Sequence, residues 1–350
     1  MQKSPMWWFL RNSNPNNYSL IIGGYIQELN SCRLFMAKVS DFWANYLEAV
    51  DMAAIASAQW RGLGKKNDAD AAAVEAMRKS FDKVPFDGRV AIGEGERDEA
   101  PMLYIGEELG TMVGVEGVAK VDIAVDPLEC TNNCAYDRPN SIAVLAAAPR
   151  GDLLHAPDCY MDKIAGGPAL AGEISLEGSV AYNIEQAANV LDKDVSEVKI
   201  VALDRERHAD LFAQIREVGA ELHLMGDGDV SGAIWAARPD GPYDMLMGIG
   251  AAPEGVISAT AIRGVGGVFE GKLVFRSDEE EERASHMVGD DLQRIWKAND
   301  LCKSEDAIFA AAGVCDGYLD GVKDVDGRKL VHSEIIDVAT KTVRDIRTTY

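Results

Sequence analysis

The sequence predicts an α/β protein with layers of helix and sheet. Short β-like runs occur at RVAIG (89–93), VDIAVD (121–126), SIAVLAAA (141–148), VKIVALD (198–204), ELHLMG (221–226), YDMLMGIG (243–250) and AIFAAAGV (307–314). Several are near-continuous apolar strings, the pattern of strands covered on both faces. Helix-like segments such as 208–219 lie between them, and that alternation is the mark of a layered α/β architecture. At 350 residues, 47% hydrophobic and 26% charged, the chain is long enough for one large domain or two packed ones.

The elements follow in order. Residues 1–40 are Asn-rich, broken by Pro5 and Pro15, and carry Lys3, Arg11, Arg33 and Lys38 against Glu28, a net of +3. They read as a poorly ordered extension or an upstream start with Met36 as the alternative beginning; a secretory signal fits SLIIGGYI poorly, and an organelle-targeting segment is the alternative to a cytoplasmic location. From Asp41 the texture changes. Phe42, Tyr46, Leu47, Val50, Ala54 and Ala58 recur at helical spacing up to Arg61, which predicts an amphipathic helix on a core. Gly-Leu-Gly-Lys at 62–65 breaks it, and a second helix runs from Ala69 to about Lys79. Residues 41–350 form one unit of two packed halves, about 41–190 and 191–350. The acidic run Asp278 to Glu282 reads as a solvated loop or helix face.

Composition excludes several functions. The net charge of −22 disfavours nucleic acid and anionic membrane surfaces as partners. No apolar run reaches the ~18 residues of a membrane span. The six cysteines include no CxxC pair, so neither a structural zinc nor a disulfide framework follows. GIGAAPEG (248–255) departs from G-x-G-x-x-G and no G-x-x-x-x-G-K-[ST] occurs, which disfavours a dinucleotide enzyme and a Walker-type ATPase.

Chemistry concentrates at strand ends. After VDIAV, Asp126-Pro127-Leu128-Glu129-Cys130-Thr131 can aim two carboxylates at one point, with Pro127 ending the ladder and Thr131 beside them. Oxygen-only ligands suit Mg²⁺ or Mn²⁺; an Asp-Pro turn opening an acidic helix start is the plain alternative. Three further acid-bearing, glycine-rich loops follow apolar runs: Gly93-Glu94-Gly95-Glu96-Arg97-Asp98, Gly226-Asp227-Gly228-Asp229 and Gly250-Ala251-Ala252-Pro253-Glu254-Gly255. In open α/β sheets such loops are where ligands sit. His155 and His208 show no ligand spacing.

Together these motifs resemble the class II fructose-1,6-bisphosphatases, especially their cyanobacterial branch, whose members also hydrolyse sedoheptulose-1,7-bisphosphate. The likeness runs from about Asp41 to the C-terminus through KKNDADAAAVEAMR (65–78), AIGEGERDEAPMLYIGEELG (91–110), VDIAVDPLECTNN (121–133), LHAPDCYMDKIAGGP (154–168), LDRERH (203–208), MGDGDV (225–230) and GIGAAPEGVISA (248–259). It implies the layered α/β/α/β/α sugar-phosphatase fold shared with inositol monophosphatases, divalent-metal dependence, a ketose bisphosphate substrate and a homo-oligomer, dimer or tetramer.

Residue by residue, the resemblance implies that Asp70 and Glu94 bind one cation and that Asp126, Glu129 and Glu254 bind another. Thr131 and Asp98 match the residues that position the attacking water, and Lys66 a lysine near the scissile phosphate. Substrate contacts are implied at Glu129, Cys130 and Thr131, at Tyr160, Arg205, Glu206 and Arg207 for the distal phosphate, and at Asp227, Gly228 and Asp229 for the sugar. Read without the resemblance, Tyr160 is an ordinary buried tyrosine and Arg205 and Arg207 are surface charges opposite Asp204 and Glu206. Two residues depart from the family pattern, Cys130 and Ala251, each in place of a usual glycine. If position 130 needs φ > 0, a Cys there is strained. Two alternatives follow: a broader inositol-monophosphatase-like sugar phosphatase, or a catalytically silent metabolite-binding paralogue spoiled by Cys130.

Overall fold

A computed structural model describes residues 37–95 and 101–350, with the backbone of 7–11 and 18–22. In chain order the elements are β1 (Trp7–Arg11), β2 (Tyr18–Ile22), α1 (Trp43–Ala58), α2 (Lys66–Phe81), β3 (Asp87–Ile92), β4 (Glu108–Leu109), β5 (Lys120–Glu129), α3 (Thr131–Ala135) and β6 (Ile142–Pro149). Then come β7 (Tyr160–Gly166), α4 (Val180–Leu191), β8 (Lys199–Leu203), α5 (Ala209–Val218), β9 (Glu221–Met225), α6 (Asp229–Ala237), β10 (Met245–Ala251) and α7 (Ala252–Val265). The chain closes with β11 (Val268–Val274), α8 (Asp278–Val288), β12 (Ile295–Lys297), α9 (Ala298–Leu301), β13 (Ile308–Gly313), β14 (Lys323–Val325), β15 (Arg328–Asp337) and β16 (Thr342–Thr349). The class is mixed α/β, as expected, and each of the seven apolar runs became a strand.

Two compact units divide these elements: Met1–Gly151 with Asp306–Tyr350, and Asp152–Glu305. The expected division near residue 190 falls instead within the second unit. Ile184, Ala187 and Ala188 of α4 are buried in that unit's core with Ile164, Ile200 and Met245, while β13 pairs back onto β6. A boundary drawn along the sequence cannot anticipate a return of this kind, because it depends on a non-local pairing.

The first unit holds a mixed sheet ordered β2-β1-β16-β15-β13-β6-β5-β3-β4, with β14 beside β15. Within the stretch expected as an extension, β1 and β2 lengthen the edge beyond β16; the rest of 1–36, including Cys32, lies outside the described residues. Helices α1 and α2 pack on the core, where Tyr46, Leu47, Phe81 and Phe86 are fully buried with Ile123, Leu145 and Ile308. Burying such side chains contributes roughly 1.5–3 kcal/mol each. Strand β5 is anchored by Asp122, which accepts from Arg89 at 2.9 and 2.8 Å and from the Gly151 amide at 2.7 Å.

Residues 126–129 correct the expected turn. Pro127 does not end the ladder: β5 continues to Glu129, which pairs with Ile142 after a register shift between Asp126 and Glu129. A bulge tolerates a residue that cannot donate to the ladder, and it re-aims the side chains on either side.

The second unit's sheet is ordered β12-β11-β7-β10-β8-β9, with β8–β9 and β8–β10 parallel and β7 antiparallel to β10 and β11. The expected solvated run at 278–282 lies in α8, but Glu280 is buried against Arg276 rather than solvated. Among the described residues no helix is long and apolar enough to cross a membrane.

Asp51 sits fully buried on α1, where Ser333 of β15 and the hydroxyl of the C-terminal Tyr350, at 2.7 Å, donate to it. Burial pushes its pKa from 3.8 to about 7, opposed by those two hydrogen bonds and assisted by Glu48. An acid that holds its proton more tightly when folded lowers stability as pH rises from about 4 to 7. Asp51→Asn should therefore match the wild type near pH 4 and be more stable than it above pH 7, by at most about 4 kcal/mol, measured by urea unfolding across that range. Equal pH profiles in the two proteins would show that Asp51 ionises freely in the fold.

Candidate metal and phosphate site

In the first unit, the bulge of β5 brings Asp126 and Glu129 carboxylate oxygens within 4.8 Å of one another. Asp126 turns back on its own strand, its Oδ1 accepting from the Leu128 amide at 3.1 Å, and the Ser141 hydroxyl holds the Glu129 carbonyl at 3.1 Å. Glu94, just past β3, is a near neighbour. Burial, then Asp126, then Asp70 push its carboxyl up to about 8. Burial likewise raises Asp70 on α2, while a hydrogen bond with Thr131 pulls it back. The Thr131 hydroxyl also lies 3.0 Å from the Leu128 carbonyl.

Asp70, Glu94, Asp126 and Thr131 therefore lie close together. Carboxylates crowded around Glu94, which raise its proton affinity, form a hard-oxygen donor set, and they fit a divalent cation, whose charge would reverse that shift. Lys66 opens α2 and is exposed. Asp98 lies outside the described residues.

Cys130 takes φ 64° and ψ 50° as it leads into α3. This is the left-handed region that a non-glycine residue adopts at a cost of roughly 1–2 kcal/mol, so the strain expected for a Cys at this position is present. The second departure carries none. Ala251 has φ −76° and ψ 147°, ordinary extended backbone. Below α3, Cys134 is buried beside Cys315, a proximity that a separation of 181 positions hides from the sequence.

The second unit carries the rest. Arg205 pairs with Asp227 at 3.1 Å and donates to the Gly226 carbonyl at 2.5 Å, so its partner is the glycine-rich loop and not the side chain of Asp204. Burial raises the Asp227 carboxyl, and Arg205 beside it works against that. Arg207 donates to the Ile249 carbonyl at 3.1 and 2.6 Å while its guanidinium lies 4.6 Å from the Tyr160 ring centre. Tyr160 is thus a half-buried platform, not an ordinary core tyrosine. Glu206 is exposed between the arginines. Gly228 leads into α6, where Asp229 is buried. Glu254 lies in the first turn of α7, where the helix dipole favours an acid.

Two charged side chains beside these residues carry no sign in the sequence of where they lie. Lys163 on β7 is buried, with its Nζ 2.5 Å from Asp229 Oδ2. Gly250 makes room for that pair, since a Cβ there would meet Asp229 Oδ2 at 1.8 Å and Lys163 Nζ at 3.1 Å. Lysine in a strand of seven residues gives no sequence sign that it is inward. Arg276, the other, stands 4.8 Å from the Tyr160 ring centre. His208 is structural: its Nδ1 lies 2.7 Å from the Leu203 carbonyl and its Nε2 accepts from the Ile249 amide at 2.7 Å, and burial lowers its pKa.

Clustered oxygen donors beside a hydroxyl, in a chain that also carries ordered guanidiniums, are the equipment of a metal-dependent phosphoric monoester hydrolase. The family described as "Bacterial fructose-1,6-bisphosphatase, glpX-encoded" matches residues 41–350, and the chain belongs to it. A Prochlorococcus marinus (strain MIT 9515) protein named D-fructose 1,6-bisphosphatase class 2/sedoheptulose 1,7-bisphosphatase is 46% identical, covering 85% of this chain and 92% of its own. Proteins of the same name from Thermosynechococcus vestitus and Synechococcus elongatus are each 43% identical, covering 86% and 87% of this chain and 93% and 94% of theirs. Among solved structures, an inositol monophosphatase from Anabaena (Nostoc) sp. PCC 7120 aligns over 57% of this chain and 73% of its own at 13% identity and a TM-score of 0.30, too weak a likeness to carry an argument.

The strain at Cys130 yields a measurable expectation. Cys130→Gly should raise the unfolding free energy by about 1 kcal/mol, relief of the left-handed strain being partly offset by glycine's extra freedom when unfolded. Cys130→Ala, which keeps the strain, should not. Urea unfolding of both variants checks this; no gain with glycine would mean the loop bears no strain.

Proposed function

We propose that the chain hydrolyses the 1-phosphate of fructose 1,6-bisphosphate, and also sedoheptulose 1,7-bisphosphate. The observation that carries this is the convergence of Asp70, Glu94 and Asp126 beside Thr131 in a member of this family. In this reading Asp70 and Glu94 hold one cation and Asp126, Glu129 and Glu254 another. Mg²⁺ or Mn²⁺, when bound, acidifies water and offsets the charge of phosphate and leaving oxygen.

The chain's own groups do the rest. The Thr131 hydroxyl orients the attacking water and passes its proton toward a carboxylate; Asp70, which that hydroxyl meets, is one acceptor, and Asp98 is the other. Lys66 faces the scissile phosphate. Backbone amides following Cys130 and Thr131 cradle the same phosphate. At the far end Tyr160, Arg205 and Arg207 hold the second phosphate, with guanidinium forks matched to its geometry, and Asp227 and Asp229 accept from sugar hydroxyls. The resemblance further implies a homo-oligomer of two or four chains.

Phosphate release from fructose 1,6-bisphosphate, sedoheptulose 1,7-bisphosphate and inositol 1-phosphate, with and without Mg²⁺ or Mn²⁺, tests the reading. Release from the two bisphosphates alone is expected, and release from inositol 1-phosphate at comparable kcat/KM would favour the broader sugar phosphatase. A wild type that binds these compounds without turnover, yet gains activity on Cys130→Gly, would instead be the silent paralogue. Glu94→Gln and Glu254→Gln should each lower kcat at least a hundredfold, about 3 kcal/mol in barrier. Near-normal turnover in either would remove that residue from the site.

A further inference from the structure

The glycine-rich loops account for Arg205 and Arg207 but leave Arg276 unassigned, although it stands against the same tyrosine. Two guanidiniums stand against Tyr160, Arg207 at 4.6 Å and Arg276 at 4.8 Å from its ring centre. Arg276 Nε donates to Glu280 Oε1 at 2.6 Å and its backbone amide to Glu280 Oε2 at 2.8 Å. Glu280 is 10% exposed, whereas the Arg276 side chain is 49% exposed. A long, half-exposed arginine is thus held by a buried carboxylate on one side and an aromatic platform on the other, with part of its donor fork toward solvent.

Helix capping does not explain this arrangement. Ser277 already caps α8, its hydroxyl accepting from the Glu280 amide at 3.3 Å. An arginine serving only to neutralise Glu280 has no need of Tyr160. Fixing a rotamer-rich side chain before a ligand arrives removes part of the ordering cost of binding, which is the use of such a brace at an anion site.

We propose that Arg276 is a third guanidinium of the distal-phosphate clamp, selecting substrates that carry a phosphate monoester at the end of the sugar remote from the reacting one. Glu280 is its positioning residue. The inference rests on the reading that Tyr160, Arg205 and Arg207 receive that phosphate, and the experiment separates the failure of one from the failure of the other.

Fructose 6-phosphate carries only the distal phosphate, so its binding can be followed by calorimetry without turnover. Arg276→Gln should weaken that binding at least tenfold relative to wild type, the scale of one charge-assisted hydrogen bond, and Arg276→Lys should fall between them. In turnover, Arg276→Gln should raise KM for fructose 1,6-bisphosphate about tenfold with less than a threefold change in kcat. The kcat/KM ratio of fructose 1,6-bisphosphate over fructose 1-phosphate should drop accordingly. A dissociation constant within twofold of wild type, or an equal loss on both substrates, would overturn the assignment of Arg276 alone, whereas a wild type that does not bind fructose 6-phosphate would overturn the distal-phosphate reading and Arg276 with it. A wild type that binds fructose 6-phosphate but releases no phosphate overturns only the proposed reaction, and the binding comparison still decides the role of Arg276.

Discussion

Like charges held together at the end of β5 are the constraint around which the first unit is organised. Three elements bring their carboxylates to one place: Asp70 from α2, Glu94 after β3 and Asp126 on β5. In isolation the cluster is unfavourable, which is why burial and its neighbours push Glu94 up to about 8. A flexible chain would relieve the repulsion by moving apart. The fold prevents this by fixing β5 between β3 and β6, tying Asp122 to Arg89, and seating α1 and α2 on a core of fully buried aromatics. The same rigidity keeps Cys130 in the left-handed region, since relaxing it would shift the strand end that positions Glu129.

In the second unit the problem has the opposite sign. A polyanionic substrate must be received by a protein of net charge −22. Positive charge is therefore not spread over a surface but concentrated and braced. Arg205 is held by Asp227, Arg207 by a carbonyl, Arg276 by Glu280, and Lys163 by Asp229. Each brace leaves its side chain little rotamer freedom.

Much of this was legible in the sequence, and the rest was hidden for physical reasons. Continuous apolar runs such as 141–148 announce strands because both faces are covered. Strand β7, YMDKIAG, does not, because Asp162 and Lys163 interrupt the apolar pattern and only the packing shows that Lys163 points inward. Strands β15 and β16 mix charge with apolar positions, so no continuous apolar run marks them. Glu94, Asp126, Glu129 and Glu254 stand out in the sequence because strand-end loops rich in glycine and acid are locally recognisable, although the turn expected at Pro127 is a bulge. Arg276 and the Cys134–Cys315 contact were not found, since nothing in their flanking residues encodes a partner more than a hundred positions away.

The pairing of β6 with β13 has a further consequence, for the order in which the chain folds. Ala147 lies opposite Ile308, so the sheet of the first unit is interrupted by the whole of residues 152–305 and stays unfinished until the final segment emerges from the ribosome. While residues 150–307 are made, β6 presents an open, apolar edge, and the second unit gains every strand it needs. The inserted unit is thus free to fold first, and the unit that begins the chain is completed last. Its long-range pairing makes that final step the slow one, and the exposed β6 edge is where a nascent chain is most open to mispairing.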